Sequence, residues 1–123
     1  MKLSFEIYTS KVLECKAFYT QHFGFSIKLE IEGFVILQNK TNPHYELMFC
    51  LPNSPFVQPI FHHEFNGKGA ILQMEVDNVE AEYERIKKRD IQIAVPLVNE
   101  QVNGYHFTVQ DPSGLLIDIV QYN

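Results

Sequence analysis

The sequence predicts an α+β fold built from two βαββ modules. Three observations carry that expectation. The order strand, helix, then further strands occurs twice along the chain. Each half closes on a carboxylate inside an apolar strand, Glu46 before Leu47-Met48-Phe49 and Asp118 before Ile119-Val120. Between the halves, residues 52–68 break the pattern with Pro52, Pro55, Pro59 and Gly67. We expect one domain, 1–123, with modules at about 1–51 and 69–123 and a connector at about 52–68.

Each element has its own warrant. Leu3, Phe5 and Ile7 alternate with polar neighbours, the period of a strand with one apolar face. Val12, Cys15, Tyr19 and Phe23 recur at helical spacing, and Gly24 is a stop signal. Residues 25–30 and 34–38 read as a hairpin turning at Glu32-Gly33. A strand over 45–51 follows the Asn42-Pro43 turn. In the second half Leu72, Met74 and Val76 alternate, and Asp77 or Asn78 can cap a helix whose buried stripe is Val79, Tyr83 and Ile86. Residues 91–98 and 105–110 read as strands. Asp111-Pro112-Ser113-Gly114 is a turn signal, and 115–122 is the last strand. An offset of 67 lays Ser4 on Ile71 and Val12 on Val79; by the module ends the offset is 72, laying Glu46 on Asp118.

The bulk numbers exclude several classes. A chain of 123 residues, 46% hydrophobic and 20% charged, has enough apolar material for a core. No apolar run reaches the roughly 20 residues of a membrane span. Glu6 stands where a signal peptide would be apolar, so we expect a cytoplasmic protein. Cys15 and Cys50 have no metal-ligand spacing and read as buried apolar groups in a reducing compartment. A net charge of −5 without a basic cluster speaks against nucleic acid. No nucleophile elbow is present, and Gly67-Lys68-Gly69 is not a phosphate loop.

Ala17-Phe18-Tyr19 followed by Phe23-Gly24-Phe25 resembles the first helix of the vicinal oxygen chelate superfamily, which includes glyoxalase I, extradiol dioxygenases and the fosfomycin- and bleomycin-resistance proteins. Glu75-Val76-Asp77-Asn78-Val79 resembles its second strand-to-helix junction. Asp111-Pro112-Ser113-Gly114-Leu115-Leu116-Ile117-Asp118 resembles its closing motif, the most specific of the three. The resemblance covers nearly the whole chain. It implies paired βαββ modules side by side, curling a sheet around a ligand cavity with helices outside, and a homodimer. Function does not follow from that fold.

The resemblance also implies metal-ligand positions: His, Gln or Glu on the first strand of each module and Glu near the end of the fourth. The matching residues are Ser4, Glu46, Ile71 and Asp118. Two carboxylates without an imidazole fall short of the usual three-ligand catalytic site. We therefore expect no cofactor. A divalent metal is the alternative, held by Glu46 and Asp118 with His44 or His106. His62-His63 reads as a solvated pair in the connector, and His22 as a helix-terminal cation.

Strand parity sorts the remaining candidates. Phe5, Ile7, Leu47, Phe49, Leu72, Met74, Ile117 and Ile119 should pack on the helices. The other parity presents Glu6, Tyr8, Glu46, Met48, Gln73, Glu75 and Asp118, an acidic-apolar ligand-binding lining. Phe56 and Phe61, aromatics that a connector does not need for a core, extend that set as a cavity lid or a dimer contact. The favoured reading is a metal-free small-molecule binding protein that sequesters an aromatic or cationic ligand. The alternatives are a metal-dependent lyase, isomerase or dioxygenase with a nonstandard ligand set, and a module used only for dimerisation.

Overall fold

A computed structural model describes residues 1–122 and contains two four-stranded sheets with one α-helix each. The chain divides into two compact units, the first Met1–Asn66 and the second beginning at Gly67. The stretch expected as a connector thus groups largely with the first unit.

The first unit runs β1 (Leu3–Tyr8), α1 (Val12–His22), β2 (Phe25–Ile31), β3 (Phe34–Asn39) and β4 (Tyr45–Cys50). Its sheet order is β1-β4-β3-β2, with β1 parallel to β4 and the other pairs antiparallel. The core lies between α1 and one sheet face. Tyr19 is fully buried and packs against Phe25 and Phe49 at ring separations of 5.7 and 5.5 Å. Cys15 and Cys50 are buried and unbonded to one another. Phe5 departs from the expected packing and is 42% exposed. It lies on the helix face, but β1 is an edge strand, and α1 packs on β2, β3 and β4.

Residues after β4 run back along the first unit. A short 3-10 turn, Pro59–Phe61, leads to Phe65, whose backbone N–H donates to the Tyr8 carbonyl (2.8 Å). Glu64 accepts from both the backbone N–H and the hydroxyl of Ser10 (2.9 Å each), which holds its carboxyl below the usual range.

The second unit runs β5 (Ile71–Glu75), α2 (Val79–Lys87), β6 (Gln92–Glu100), β7 (Gly104–Gln110) and β8 (Leu116–Gln121), in the order β5-β8-β7-β6. Of the two candidate caps, Asn78 serves: its side chain accepts from the Ala81 N–H (3.1 Å). The closing turn is tied by Asp111, whose Oδ1 accepts from the N–H groups of Ser113 and Leu115. Ile117, Ile119, Phe107 and Val109 are buried on the helix side. The two units thus repeat one order: a strand, a helix and then three strands, the βαββ-type module with one further strand.

The second unit opens on two glycines with similar backbone angles, Gly67 and Gly69, both with φ +79. A Cβ on Gly67 would lie 2.7 Å from the Gly114 carbonyl oxygen, whereas one on Gly69 meets nothing. Gly69→Ala should therefore cost only backbone strain, about 1–2 kcal/mol. Gly67→Ala should cost more, because the closing turn must also shift. Urea denaturation of the two variants beside the wild type measures the difference; equal losses would remove the close approach from this account.

Candidate functional site

In each sheet the face turned away from the helix carries one buried carboxylate near its centre. In the first unit this face is arranged in three rungs across the strands. The first joins Ser4, Glu46, Gln38 and Ser26; the second joins Glu6, Met48, Ile36 and Leu29; the third joins Tyr8, Cys50, Phe34 and Ile31. The first rung is polar, the second is apolar apart from Glu6 on the edge strand, and the third carries two rings, Tyr8 and Phe34; successive rungs lie about 6.7 Å apart along the strands.

Glu46 is 6% exposed, and both of its oxygens are engaged. Ser4 Oγ donates to Oε1 (3.1 Å), while Lys28 Nζ (2.6 Å) and Lys2 Nζ (3.1 Å) both meet Oε2. Lys28 lies two residues beyond Ser26 of this rung, at a bulge between Ile27 and Leu29 that leaves it without a cross-strand partner in β3. The hydrogen bond from Lys28 lowers the Glu46 pKa to about 2, against the opposing effect of burial and with help from Lys2 and Ser4. The same bond raises the pKa of Lys28.

At the other end of this face Tyr8 donates to Glu6 Oε1 (3.0 Å) and stacks on Phe61 at 6.3 Å with planes 13° apart. Burial, followed by the hydrogen bond to the Glu6 carboxylate, pushes the Tyr8 phenol up to about 12. Phe56, expected beside Phe61, is 95% exposed and contributes no ring contact here.

The second unit repeats the geometry with different chemistry. Asp118 pairs across the sheet with Gln73 on β5 and Thr108 on β7. This corrects the expected alignment: the strand residue beside Asp118 is Gln73, not Ile71, which pairs with Leu116. The true offset is 69 in the opening strand and 67 at the helix, because β1 runs four residues past Ser4 to Tyr8 whereas β5 runs only two past Gln73 to Glu75. Asp118 accepts from Thr108 Oγ1 (3.2 Å) and from Gln73 Nε2 (3.4 Å), and Gln73 also donates to the Tyr122 hydroxyl (2.9 Å).

His106 completes this cluster. It is 8% exposed, with Nδ1 at 2.5 Å from Asp118 Oδ1 and Nε2 at 3.1 Å from Glu100 Oε1. Burial disfavours its charge, but the two carboxylates outweigh burial and raise its pKa. Glu100 is lowered by Asn103 first and His106 second. With a carboxylate at each nitrogen, the ring is held as an imidazolium that donates from both sides.

These contacts decide how the residues suit a metal. Glu46 already faces two ammonium groups, and a divalent ion there would meet both. A protonated His106 has no lone pair to coordinate with. His44 lies exposed in the turn before β4. Among the described residues, no three His, Cys, Asp or Glu side chains are grouped to hold a metal ion. The donor set does not fit the metal site that the resemblance implies.

Of the sequence-predicted set, the structure brings Glu6, Tyr8 and Phe61 together, places Met48 on the rung shared with Glu6, and joins Gln73 to Asp118. Glu75 is exposed at the end of β5. Sequence reasoning missed Lys2, Lys28, Thr108 and Glu100. A surface groove of about 490 Å³ between α1 and the β2–β3 hairpin, lined by Leu13, Glu14, Ile31 and Leu51 among others, holds none of the predicted residues.

The chain belongs to the Glyoxalase/Bleomycin resistance protein/Dioxygenase superfamily, whose family model matches residues 3–119. Among solved structures it is similar to TnmS3, an antibiotic binding protein from Streptomyces sp. CB03234. The two share 20% identity, with a TM-score of 0.75 over 100% of this chain and 96% of that one. A glyoxalase/bleomycin resistance protein/dioxygenase from Nocardioides is 18% identical, with a TM-score of 0.80 over 99% of this chain and 83% of that one. Lactoylglutathione lyase from Agrobacterium tumefaciens is 19% identical, with a TM-score of 0.76 over 98% and 92% respectively. At these identities the likeness is one of fold. No curated protein sequence matches the chain. No helix among the described residues is long and apolar enough to cross a membrane.

Two pH responses follow from the shifts. Glu46 has a depressed folded-state pKa, so its stabilisation is complete above the unfolded value near 4.5 and is lost as pH falls through about 2. Glu46→Gln should cost about 1–2 kcal/mol at neutral pH, since its partners are half in water, and almost nothing near pH 2. Urea midpoints across that range check the sign. His106 has a raised pKa, so its contribution is present below the unfolded value near 6.5 and fades as pH rises through the folded one. Nitrogen-15 imidazole spectra at pH 6.5 should show both ring nitrogens protonated; a neutral tautomer there would contradict the assignment.

Proposed function

We propose that this protein is a metal-free small-molecule binding protein that sequesters an aromatic ligand, and that it works as a homodimer. The observation that carries the reading is the Lys28–Glu46 pair, which fills a family metal position with an ammonium group. The sheet face beside it offers what a stacking ligand needs. Met48 and Ile36 supply half-buried apolar surface, and Tyr8, Phe34 and Phe61 supply rings. The fold shared with an antibiotic binding protein supports the same reading.

Of the two ligand types expected from the sequence, the aromatic one gains support. Glu46 and Asp118 are already neutralised internally, so they do not call for a cationic ligand. Glu6 remains exposed at the rim of the first face, where it also accepts from Tyr8.

The test is thermal stabilisation by a panel of planar aromatic antibiotics. A ligand bound at 100 times its Kd stabilises by about 2.7 kcal/mol, enough to raise Tm by several degrees. Tyr8→Leu should weaken that ligand about tenfold through lost stacking. No Tm rise across the panel, or equal binding by Tyr8→Leu, would overturn the reading.

A further inference from the structure

The charge count at Glu46 does not close. Two ammonium groups, Lys2 and Lys28, converge on one carboxylate oxygen, leaving one positive charge in excess at that rung. Each ammonium has three N–H donors, and Glu46 takes one from each. The lysine side chains are 42% and 40% exposed, so their remaining donors are accessible from the open face of the sheet. Glu46 itself, at 5% side-chain exposure, holds the pair in place from below.

Lys28 stands at the β2 bulge, two residues after Ser26 of the first rung, and its ammonium meets Glu46 on the same face. The nearest opposing acid on this face, Glu6, lies one rung away and accepts from Tyr8. Immediately beside the lysines come Met48 and Ile36, and beyond them Phe34 and Tyr8. A cationic end, an apolar middle and an aromatic end thus follow one another over about 13 Å of strand.

We infer that the first unit recognises the anionic group of an apolar or aromatic acid, a carboxylate or its equivalent, through the paired ammonium groups of Lys2 and Lys28. This rests on the proposed binding function and names the class of ligand. Glu46 acts as a positioning residue: it gathers the two lysines without touching the ligand. The aromatic body of the acid then lies along the face over Ile36 and Met48.

The test uses three probes of one shape, naphthalene-2-carboxylate, naphthalene-2-carboxamide and 2-naphthylmethylammonium, measured by calorimetry at low and high salt. The carboxylate should bind about tenfold more tightly than the amide, the ammonium most weakly, and added salt should narrow the gap. Lys28→Gln combined with Lys2→Gln should abolish the preference for the anion, whereas Lys28→Arg should retain it. Lysine Cε–Hε resonances of Lys2 and Lys28 should move with the carboxylate and stay fixed with the amide. Equal binding of amide and carboxylate, with Tyr8→Leu weakening both, would overturn the anion anchor and leave aromatic sequestration standing. A preference that survives the double lysine variant would overturn the anchor as well. No binding by any probe at millimolar concentration would overturn both.

Discussion

A carboxylate buried in the middle of a sheet must be neutralised where it stands, and this protein does so twice. Desolvating an unpaired carboxylate is costly, and removing the partner of a buried ion pair costs more than the pair contributes. In the first unit the answer is the ammonium groups of Lys28 and Lys2. In the second it is an imidazolium clamped between Asp118 and Glu100. The side chains around each carboxylate, from Ser4 and Lys2 to Thr108 and Gln73, are arranged to serve it.

That constraint shapes the chemistry the fold can support. A carboxylate held near pKa 2 by two lysines is a fixed anion, ill suited to accept a proton at neutral pH. A histidine bonded to carboxylates at both nitrogens must break one of those contacts before it can act as a base. What remains open is surface: an apolar rung, an aromatic rung and spare lysine donors on one face.

Much of the fold was legible because it rests on local signals. Alternation located the strands, helical spacing located Tyr19 and Ile86 as buried, and Asn78 and Asp111 act as the cap and turn residues their chemistry implies. The buried carboxylates were also legible, since Glu46 and Asp118 interrupt apolar strands. The neighbours of those carboxylates were not. Gln73 was passed over for Ile71 because a two-residue difference in how far the opening strand extends is invisible when the halves share almost no sequence identity. Lys28 was passed over because it comes from β2, which β3 separates from Glu46 in the sheet, and strand order is not encoded locally. Phe5 obeys parity but lies on an edge strand, and strand order is a long-range property that alternation does not encode.

In the first unit two ammonium groups hold the carboxylate at the position that the resemblance assigns to a metal ligand. Calorimetric titration of the wild-type protein with Zn²⁺, Ni²⁺ and Mn²⁺ tests that arrangement most directly. The account predicts no stoichiometric tight binding by any of the three. One ion bound tightly per chain, and lost in Glu46→Gln, would contradict it and restore a metal to this face.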